Sequence, residues 1–289
     1  MDRIFNVTGG DGGDAYLLWG GEKAALIDCG MAYCAPELIK NIQQKFKTIN
    51  PRATLDYILI SHSHYDHIGA IPYVRQVWPQ CNVLGAKHAQ DILKRPNALN
   101  AIRELSASAA AIYSAGELEK YEDNMMKVDE VVADGEWVDL GQERVKVIAT
   151  RGHTQCSLSF LFNKTLFASE STGYMGLGEK VYASFITSSV EALISIQKCQ
   201  EENAEYIISP HFGVVDQNAV QDYWDNCRFA IRDTVEFIST LSSRGYKEEE
   251  ILNFYEKKFR DQQSGTQQPI DAFRLNVRNM IKTVLREML

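Results

Sequence analysis

The sequence predicts an α/β protein with a helical extension at its carboxyl end. Two observations carry this prediction. Short apolar runs alternate with segments of helical spacing over residues 15–84, and this strand–helix–strand alternation is typical of α/β folds. From about residue 216 onward, the apolar residues instead repeat at helical spacing to the end of the chain.

The first 85 residues contain four apolar runs that predict strands and two segments that predict helices. Gly20 and Gly21 separate the first two runs and are typical of a turn. In the first helical segment the apolar side chains share roughly one face. The predicted strands cover residues 15–19, 24–27, 57–60 and 82–84, and the predicted helices cover residues 36–46 and 71–78.

The middle of the chain predicts helix first and strands afterwards. Residues 87–122 are rich in Ala, Glu, Leu and Lys and poor in strand-forming residues, so they predict helix with an interruption at Pro96. A further helix is predicted at residues 190–199. The predicted strands cover residues 128–132, 137–140, 145–149, 158–162, 165–168 and 206–208.

The residues after 216 predict helices only. One long helix is followed by two others near residues 247–261 and 269–288, and Gly265 with its polar neighbours marks the break between them. We therefore predict a catalytic domain over residues 1–215 and a helical extension over residues 216–289. The extension either covers the active site or forms a homodimer interface.

The charge and cysteine content narrow the class of protein. Thirty-eight acidic residues outnumber thirty basic ones, so a net charge of −8 gives no general attraction for nucleic acid or for a membrane surface. No window approaches the roughly 18 apolar residues of a membrane span. The six cysteines are scattered without a CxxC pair, so we expect a cytoplasmic protein with reduced thiols.

Three imidazoles and one carboxylate occur within six residues, directly after the predicted strand at residues 57–60. They are His62, His64, Asp66 and His67. In an extended strand, His67 would point away from the other three unless the chain turns there. A loop at the strand end would let the four residues bind two neighbouring metal ions. Imidazole and carboxylate are ligands suited to zinc, and also to iron or manganese.

Three more candidate ligands each follow a predicted strand: His153, Glu170 and His211. The chain has only six histidines, and five of them lie in these segments or in the first motif. Strand ends at one edge of a sheet are where α/β proteins build their sites. The spacing therefore predicts one metal centre assembled from four strand ends.

The ordered series His-x-His-x-Asp-His, Gly-His-Thr, an acidic residue after a strand and a late His resembles the metallo-β-lactamase superfamily over roughly residues 1–215. The resemblance implies an αββα sandwich with two divalent metal ions, zinc first, with iron or manganese as alternatives. It implies that Asp28 supports the ligands from outside the coordination sphere. It also implies that His62, His64 and His153 hold one metal, that Asp66, His67 and His211 hold the other, and that Glu170 bridges the two.

Glu170 departs from the pattern of this superfamily, in which most members have Asp at that position, usually after Gly. Here Ser169 precedes Glu170. Glutamate has one more methylene, so either its backbone lies further from the metals or its carboxylate binds differently. The bridging geometry and the identity of the metals stay open at this point.

Two metals that share a water lower its pKa toward neutrality, and the metal-bound hydroxide attacks an electrophilic carbonyl or phosphoryl group of a small-molecule substrate. Asp66 would orient this nucleophile. Residues 64–73, residues 132–137 and the helical extension together resemble the PqsE-like thioesterase branch. That resemblance implies hydrolysis of an acyl thioester or a related ester.

Two alternative functions remain. The motif is shared with phosphodiesterases and lactonases, so a small phosphodiester or a lactone is an alternative substrate. The centre could instead be a non-hydrolytic di-iron site that binds oxygen or nitric oxide, or the protein could be a regulator that acts through a partner. The iron-based redox members of the superfamily usually have Glu where this chain has His64.

Overall fold

The computed structural model describes residues 3–113, 115–176, 180–260 and 270–289. The chain divides into two compact units. Unit 1 comprises Met1–Ile148 and Phe160–Asn163, and unit 2 comprises Ala149–Ser159 and Lys164–Leu289. Each unit contains both strands and helices, so the predicted α/β class is confirmed. The predicted domain boundary at residue 215 stays a prediction.

Unit 1 is built on a six-stranded mixed sheet whose strands lie side by side in chain order. The first two pairs are antiparallel and the last three are parallel. The third strand is apolar and buried along its whole length, as is usual where both faces of a sheet are covered. The strands are β1 (Ile4–Asn6), β2 (Tyr16–Trp19), β3 (Ala24–Ile27), β4 (Leu55–Leu59), β5 (Asn82–Gly85) and β6 (Glu130–Val131).

The helices of unit 1 bury one apolar face each. In the first helix, Leu38, Ile42 and Phe46 are buried at a spacing of four residues, which places them on one stripe. The ring of Phe46 meets that of Trp78 edge-on, with the centroids 6.2 Å apart. The helices are α1 (Ala35–Ile49), α2 (Tyr65–Ile68), α3 (Ile71–Val77), α4 (Lys87–Ile92) and α5 (Pro96–Ile112), and a hairpin of β7 (Trp137–Asp139) and β8 (Arg144–Ala149) follows them.

The helical prediction for residues 87–122 is correct only in part. The interruption before Pro96 is present, but α5 ends at Ile112, and the described residues 115–122 form no helix. Gly116 has a φ of +80°, a left-handed conformation through which an α-helix cannot continue. The composition of the segment does not reveal this conformation.

Unit 2 combines short strands with long helices. β9 (Leu158–Phe162) contributes residues to both units. β10 (Thr165–Phe167) pairs in parallel with β13 (Tyr206–Ser209), and β14 (Gly213–Val215) pairs antiparallel with β13. β11 (Tyr174–Met175) and β12 (Val181–Tyr182) form a separate hairpin. The helices are α6 (Ser189–Glu201), α7 (Val220–Ser243), α8 (Glu248–Phe259) and α9 (Ile270–Glu287).

The helical carboxyl-terminal region is confirmed. α7 packs against α6, α8 and α9, and the apolar side chains of Trp224, Cys227 and Ile231 on this helix are buried. The break predicted at Gly265 lies outside the described residues. Within the described ranges, no helix is both long enough and apolar enough to cross a membrane.

Candidate metal centre

In unit 1, the segment from His62 to His67 leaves the end of β4 and turns at His64. His64 is extended, with φ −77° and ψ 148°, and it precedes the single helical turn α2. Its carbonyl oxygen accepts hydrogen bonds from the N–H groups of His67 and Ile68, at 3.0 and 3.2 Å. The sequence requires a turn here for His67 to lie on the same side as the other three residues. The structure has that turn, directly after His64.

The three imidazoles of this segment lie against one another. The ring centroid of His62 is 4.5 Å from that of His64 and 4.2 Å from that of His67. The carboxylate of Asp66 lies 3.9 Å from Nε2 of His67, and His62, Asp66 and His67 are buried. This set of nitrogen and oxygen donors, closely spaced and withdrawn from water, is the ligand chemistry of zinc, iron or manganese.

Asp28 fixes the orientation of His67. It lies just after β3 in a left-handed conformation, with a φ of 52°. One carboxylate oxygen accepts a hydrogen bond of 2.6 Å from the N–H of Ser61, and the other lies 2.8 Å from Nδ1 of His67. When the carboxylate accepts from Nδ1, the lone pair of the ring stands on Nε2, the atom that would bind a metal.

Two further features of unit 1 support this loop, and the sequence singled out neither. The hydroxyl of Ser61 lies 3.0 Å from Nδ1 of His62 and 3.3 Å from Nδ1 of His67. Gly13 packs directly against the backbone of Asp66, because a Cβ at Gly13 would lie 2.1 Å from that carbonyl oxygen. A glycine-rich segment thus allows a close approach behind the proposed ligands.

In unit 2, Glu170 lies between two imidazoles. Its Oε2 is 3.5 Å from Nε2 of His153, and its Oε1 is 3.3 Å from Nε2 of His211. His153 is fully buried, Glu170 is 6% exposed, and the side chain of His211 is 25% exposed. Each carboxylate oxygen therefore faces a different ring, which is the arrangement a bridging ligand requires.

The parallel pairing of β10 with β13 places Glu170 and His211 at the same edge of the sheet. Glu170 follows β10 and begins a short 3₁₀ turn, and His211 follows β13 in a left-handed conformation with a φ of 59°. The carboxyl ends of parallel strands meet at one edge, so this pairing brings both side chains together.

Ser184 holds both His153 and Glu170. Its carbonyl oxygen lies 2.6 Å from Nδ1 of His153, and its hydroxyl lies 3.0 Å from the same nitrogen. The hydroxyl also donates to Oε2 of Glu170 at 3.0 Å. Ser184 is 31 residues from His153 and follows no recognisable motif, so the sequence carried no signal for it.

We expect Ser184→Ala to weaken metal binding about tenfold, at the lower end of the range for residues that support ligands. The backbone carbonyl would still orient His153, but Oε2 of Glu170 would lose a donor. Competition with a chromogenic chelator measures the affinity. Ser243→Ala is the matched control, because Ser243 is an exposed serine in the last turn of α7. Equal affinities of the two variants would contradict this role for Ser184.

Tyr174 adds an aromatic wall beside His211. The two ring centroids are 6.3 Å apart, and Tyr174 stacks on Tyr182 with the centroids 5.6 Å apart. Burial, followed by the nearby Tyr255 and Glu170, raises the pKa of Tyr174 far above its ordinary value. The hydroxyl therefore stays protonated above the pH at which an ordinary tyrosine ionises.

Comparison with known proteins gives one family model that matches residues 8–167, more than half of the chain, and it describes the metallo-beta-lactamase superfamily. The metallo-beta-lactamase fold-containing protein ST1585 of Sulfurisphaera tokodaii is 31% identical over 160 residues, which cover 55% of this chain and 56% of that protein. The crystal structure of ST1585 matches 98% of both chains with a TM-score of 0.59 at 22% identity. The two proteins therefore share a fold over almost their whole lengths.

Two curated enzymes each match part of the chain. The hydroxyacylglutathione hydrolase of Francisella philomiragia is 29% identical over 165 residues, 56% of this chain and 48% of the enzyme. The nitric oxide reductase of Moorella thermoacetica is 36% identical over 81 residues, 28% of this chain and 19% of the enzyme. The chain thus spans about half the length of these curated relatives, or less.

Proposed function

Since the chain belongs to the metallo-beta-lactamase superfamily and has its fold, we propose that it hydrolyses an acyl thioester or a related ester with two divalent metal ions. The observation that carries the proposal is Glu170, whose two oxygens each face a different histidine in unit 2. A carboxylate in that arrangement is what a two-metal hydrolase needs at its bridging position.

The proposal assigns the seven side chains as the superfamily's motif order implies. His62, His64 and His153 would hold the first metal; Asp66, His67 and His211 would hold the second; Glu170 would contact both. Within each unit the proposed ligands lie close together, and every one of them is an imidazole or a carboxylate. These donors fit zinc first, and iron or manganese next.

The two metal ions, when bound, would polarise the substrate carbonyl and supply a water of lowered pKa. Side chains and backbone groups of the protein would orient the ligands and the attacking water. Asp28 keeps the proton of His67 on Nδ1, and the carbonyl of Ser184 does the same for His153. The carboxylate of Asp66 would accept a hydrogen bond from the attacking water and so orient it. Burial of these groups excludes bulk water and strengthens each contact.

The thioester class is supported by the matches to hydroxyacylglutathione hydrolases, whose name denotes cleavage of an acyl group from glutathione. An acyl thioester has an electrophilic carbonyl and a thiolate leaving group, which needs little protonation to depart. The narrower resemblance to the PqsE-like branch, a small-molecule substrate pocket closed by helices, and a homodimer all stay predictions.

The test compares three substrates on the same zinc-loaded protein: an S-acylglutathione, a lactone and bis(4-nitrophenyl) phosphate. We expect the thioester to be preferred by about tenfold or more in kcat/KM, and its turnover to disappear after chelation. Released thiol can be measured directly, because all six cysteines of the chain are buried. A preference for the phosphodiester, or turnover that survives chelation, would contradict the proposal.

The match to a nitric oxide reductase favours a second candidate, a di-iron centre that reacts with a diatomic gas. His64 argues against it, because an imidazole stands where iron-based redox members usually have Glu. Anaerobic purification with metal analysis separates the candidates: a redox-active iron pair without hydrolytic turnover would support the second one.

A further inference from the structure

The last two turns of α9 are hydrogen-bonded to the segment of residues 184–189, which precedes and begins α6. The hydroxyl of Thr283 donates to the carbonyl oxygen of Ile186 at 2.9 Å. The guanidinium of Arg286 donates to the carbonyl oxygen of Thr187 at 2.5 Å. These pairs lie 97 and 99 residues apart in the chain, so α9 fixes a distant segment.

Glu287 makes the third connection, to the first residues of α6. Its carboxylate accepts hydrogen bonds from the hydroxyl of Ser188 at 2.7 Å and from the N–H of Ser189 at 3.1 Å, and it also bonds to the hydroxyl of Ser189. Hydrogen bonds to a charged acceptor are stronger than those between neutral groups. A negative charge at the amino end of a helix is also favoured by the helix dipole.

Residues 184–188 of the same segment are also hydrogen-bonded to two of the proposed metal ligands, or to the residue directly before one of them. The N–H and the hydroxyl of Thr187 both donate to the carbonyl oxygen of Gly152 at 2.9 Å, and the N–H of Ser188 donates to it at 3.2 Å. Gly152 directly precedes His153. The hydroxyl and carbonyl of Ser184, as described above, position His153 and Glu170.

Gly152 leaves this arrangement little freedom to move. Its φ is +133°, and a Cβ at this position would lie 2.7 Å from backbone atoms of Ala192 in the first turn of α6. The backbone before His153 is therefore pressed against α6, and the amino end of α6 is in turn bonded to Glu287. A displacement of α9 would be passed to His153 through contiguous hydrogen bonds.

We propose that Thr283, Arg286 and Glu287 are positioning residues of the metal centre, because they fix the segment that holds His153 and Glu170. The proposal rests on the proposed function only for the statement that these two residues bind metal. In this proposal α9 positions two metal ligands, which is a different role from covering the active site or forming a dimer interface. A ligand that is already held in place loses less conformational entropy when it binds a metal.

The test uses Glu287→Ala, with Glu236→Ala as the matched control. Both glutamates are exposed helical residues of unit 2, so neither substitution empties the core. In metal-free protein, we expect the amides of Thr187 and Ser188 to exchange hydrogen about tenfold faster in Glu287→Ala than in the control. We expect zinc affinity, measured by chelator competition, to fall by up to about tenfold. Glu287→Gln, which keeps one acceptor oxygen, should lie between the two.

Thr283→Val serves as a second variant, because valine has nearly the shape of the buried threonine but cannot donate to Ile186. It should change amide exchange and zinc affinity in the same direction. Unchanged exchange in both variants, or a lower unfolding temperature with unchanged zinc affinity, would overturn the proposal. A wild-type protein that binds zinc but cleaves no thioester would instead contradict the proposed function alone. Amide exchange of Thr187 and Ser188 in the metal-free protein reports on their hydrogen bonds to Gly152 whether or not the protein is a thioesterase.

Discussion

Replacing Glu170 with glutamine is expected to reduce the metal content from two ions to one per chain and to lower kcat/KM more than about a hundredfold. The loss should exceed the 10- to 100-fold range that follows changes in residues that only support ligands. Glutamine has the shape of glutamate, but it has no charge and presents an amide NH₂ to one of the two histidines. In the native chain both oxygens of Glu170 are used, one beside His153 and one beside His211.

Metal content by elemental analysis and steady-state kinetics on the zinc-loaded protein measure this effect. Glu205→Gln is the matched control, since Glu205 is an exposed glutamate of the same unit whose partner is Lys164. The control should keep two metals and wild-type turnover. If Glu170→Gln also kept both, Glu170 would not be the bridging residue.

Replacing Asp28 with asparagine is expected to weaken metal binding by about 10- to 100-fold while the protein stays folded. Asparagine tolerates the left-handed φ of 52° found at this position, so the backbone should not change. If the amide oxygen accepts from Ser61, the amide nitrogen faces Nδ1 of His67. That nitrogen then favours the other tautomer, which places the ring proton on Nε2 and blocks it as a ligand.

Chelator competition on Asp28→Asn, together with thermal unfolding of the metal-free protein, separates the two effects. Asp139→Asn is the control, because Asp139 is an exposed aspartate of the same unit that pairs with Lys23. Wild-type zinc affinity in Asp28→Asn would show that the tautomer of His67 is set by another group. A strongly lowered unfolding temperature would show that Asp28 matters for the fold.

The sequence was sufficient for the parts of the site that depend on local pattern. Short apolar runs located β4, β10 and β13, and candidate ligands follow the ends of these strands. In unit 2, the structure indeed brings Glu170 and His211 together, because β10 and β13 are parallel neighbours. The structure also places Asp28 against His67, as the resemblance to the superfamily implies.

The sequence was not sufficient where a contact joins distant, unpatterned residues. Ser184 touches His153 and Glu170 only because the fold returns the chain there, and any serine would look the same in the sequence. Glu287 resembles an ordinary charged residue at the end of an amphipathic helix until its partners at Ser188 and Ser189 are seen. The helix predicted over residues 87–122 was too long for a related reason. The composition of the segment favours helix, but it does not say where the helix ends.

We have proposed that seven side chains of the chain hold one pair of metal ions. A crystal structure of the zinc-loaded protein with anomalous scattering recorded at the zinc edge tests it most directly. We expect two anomalous peaks per chain, one in contact with His62, His64 and His153, the other with Asp66, His67 and His211, and Glu170 in contact with both. A single peak, or peaks that neither His153 nor His211 touches, would contradict it.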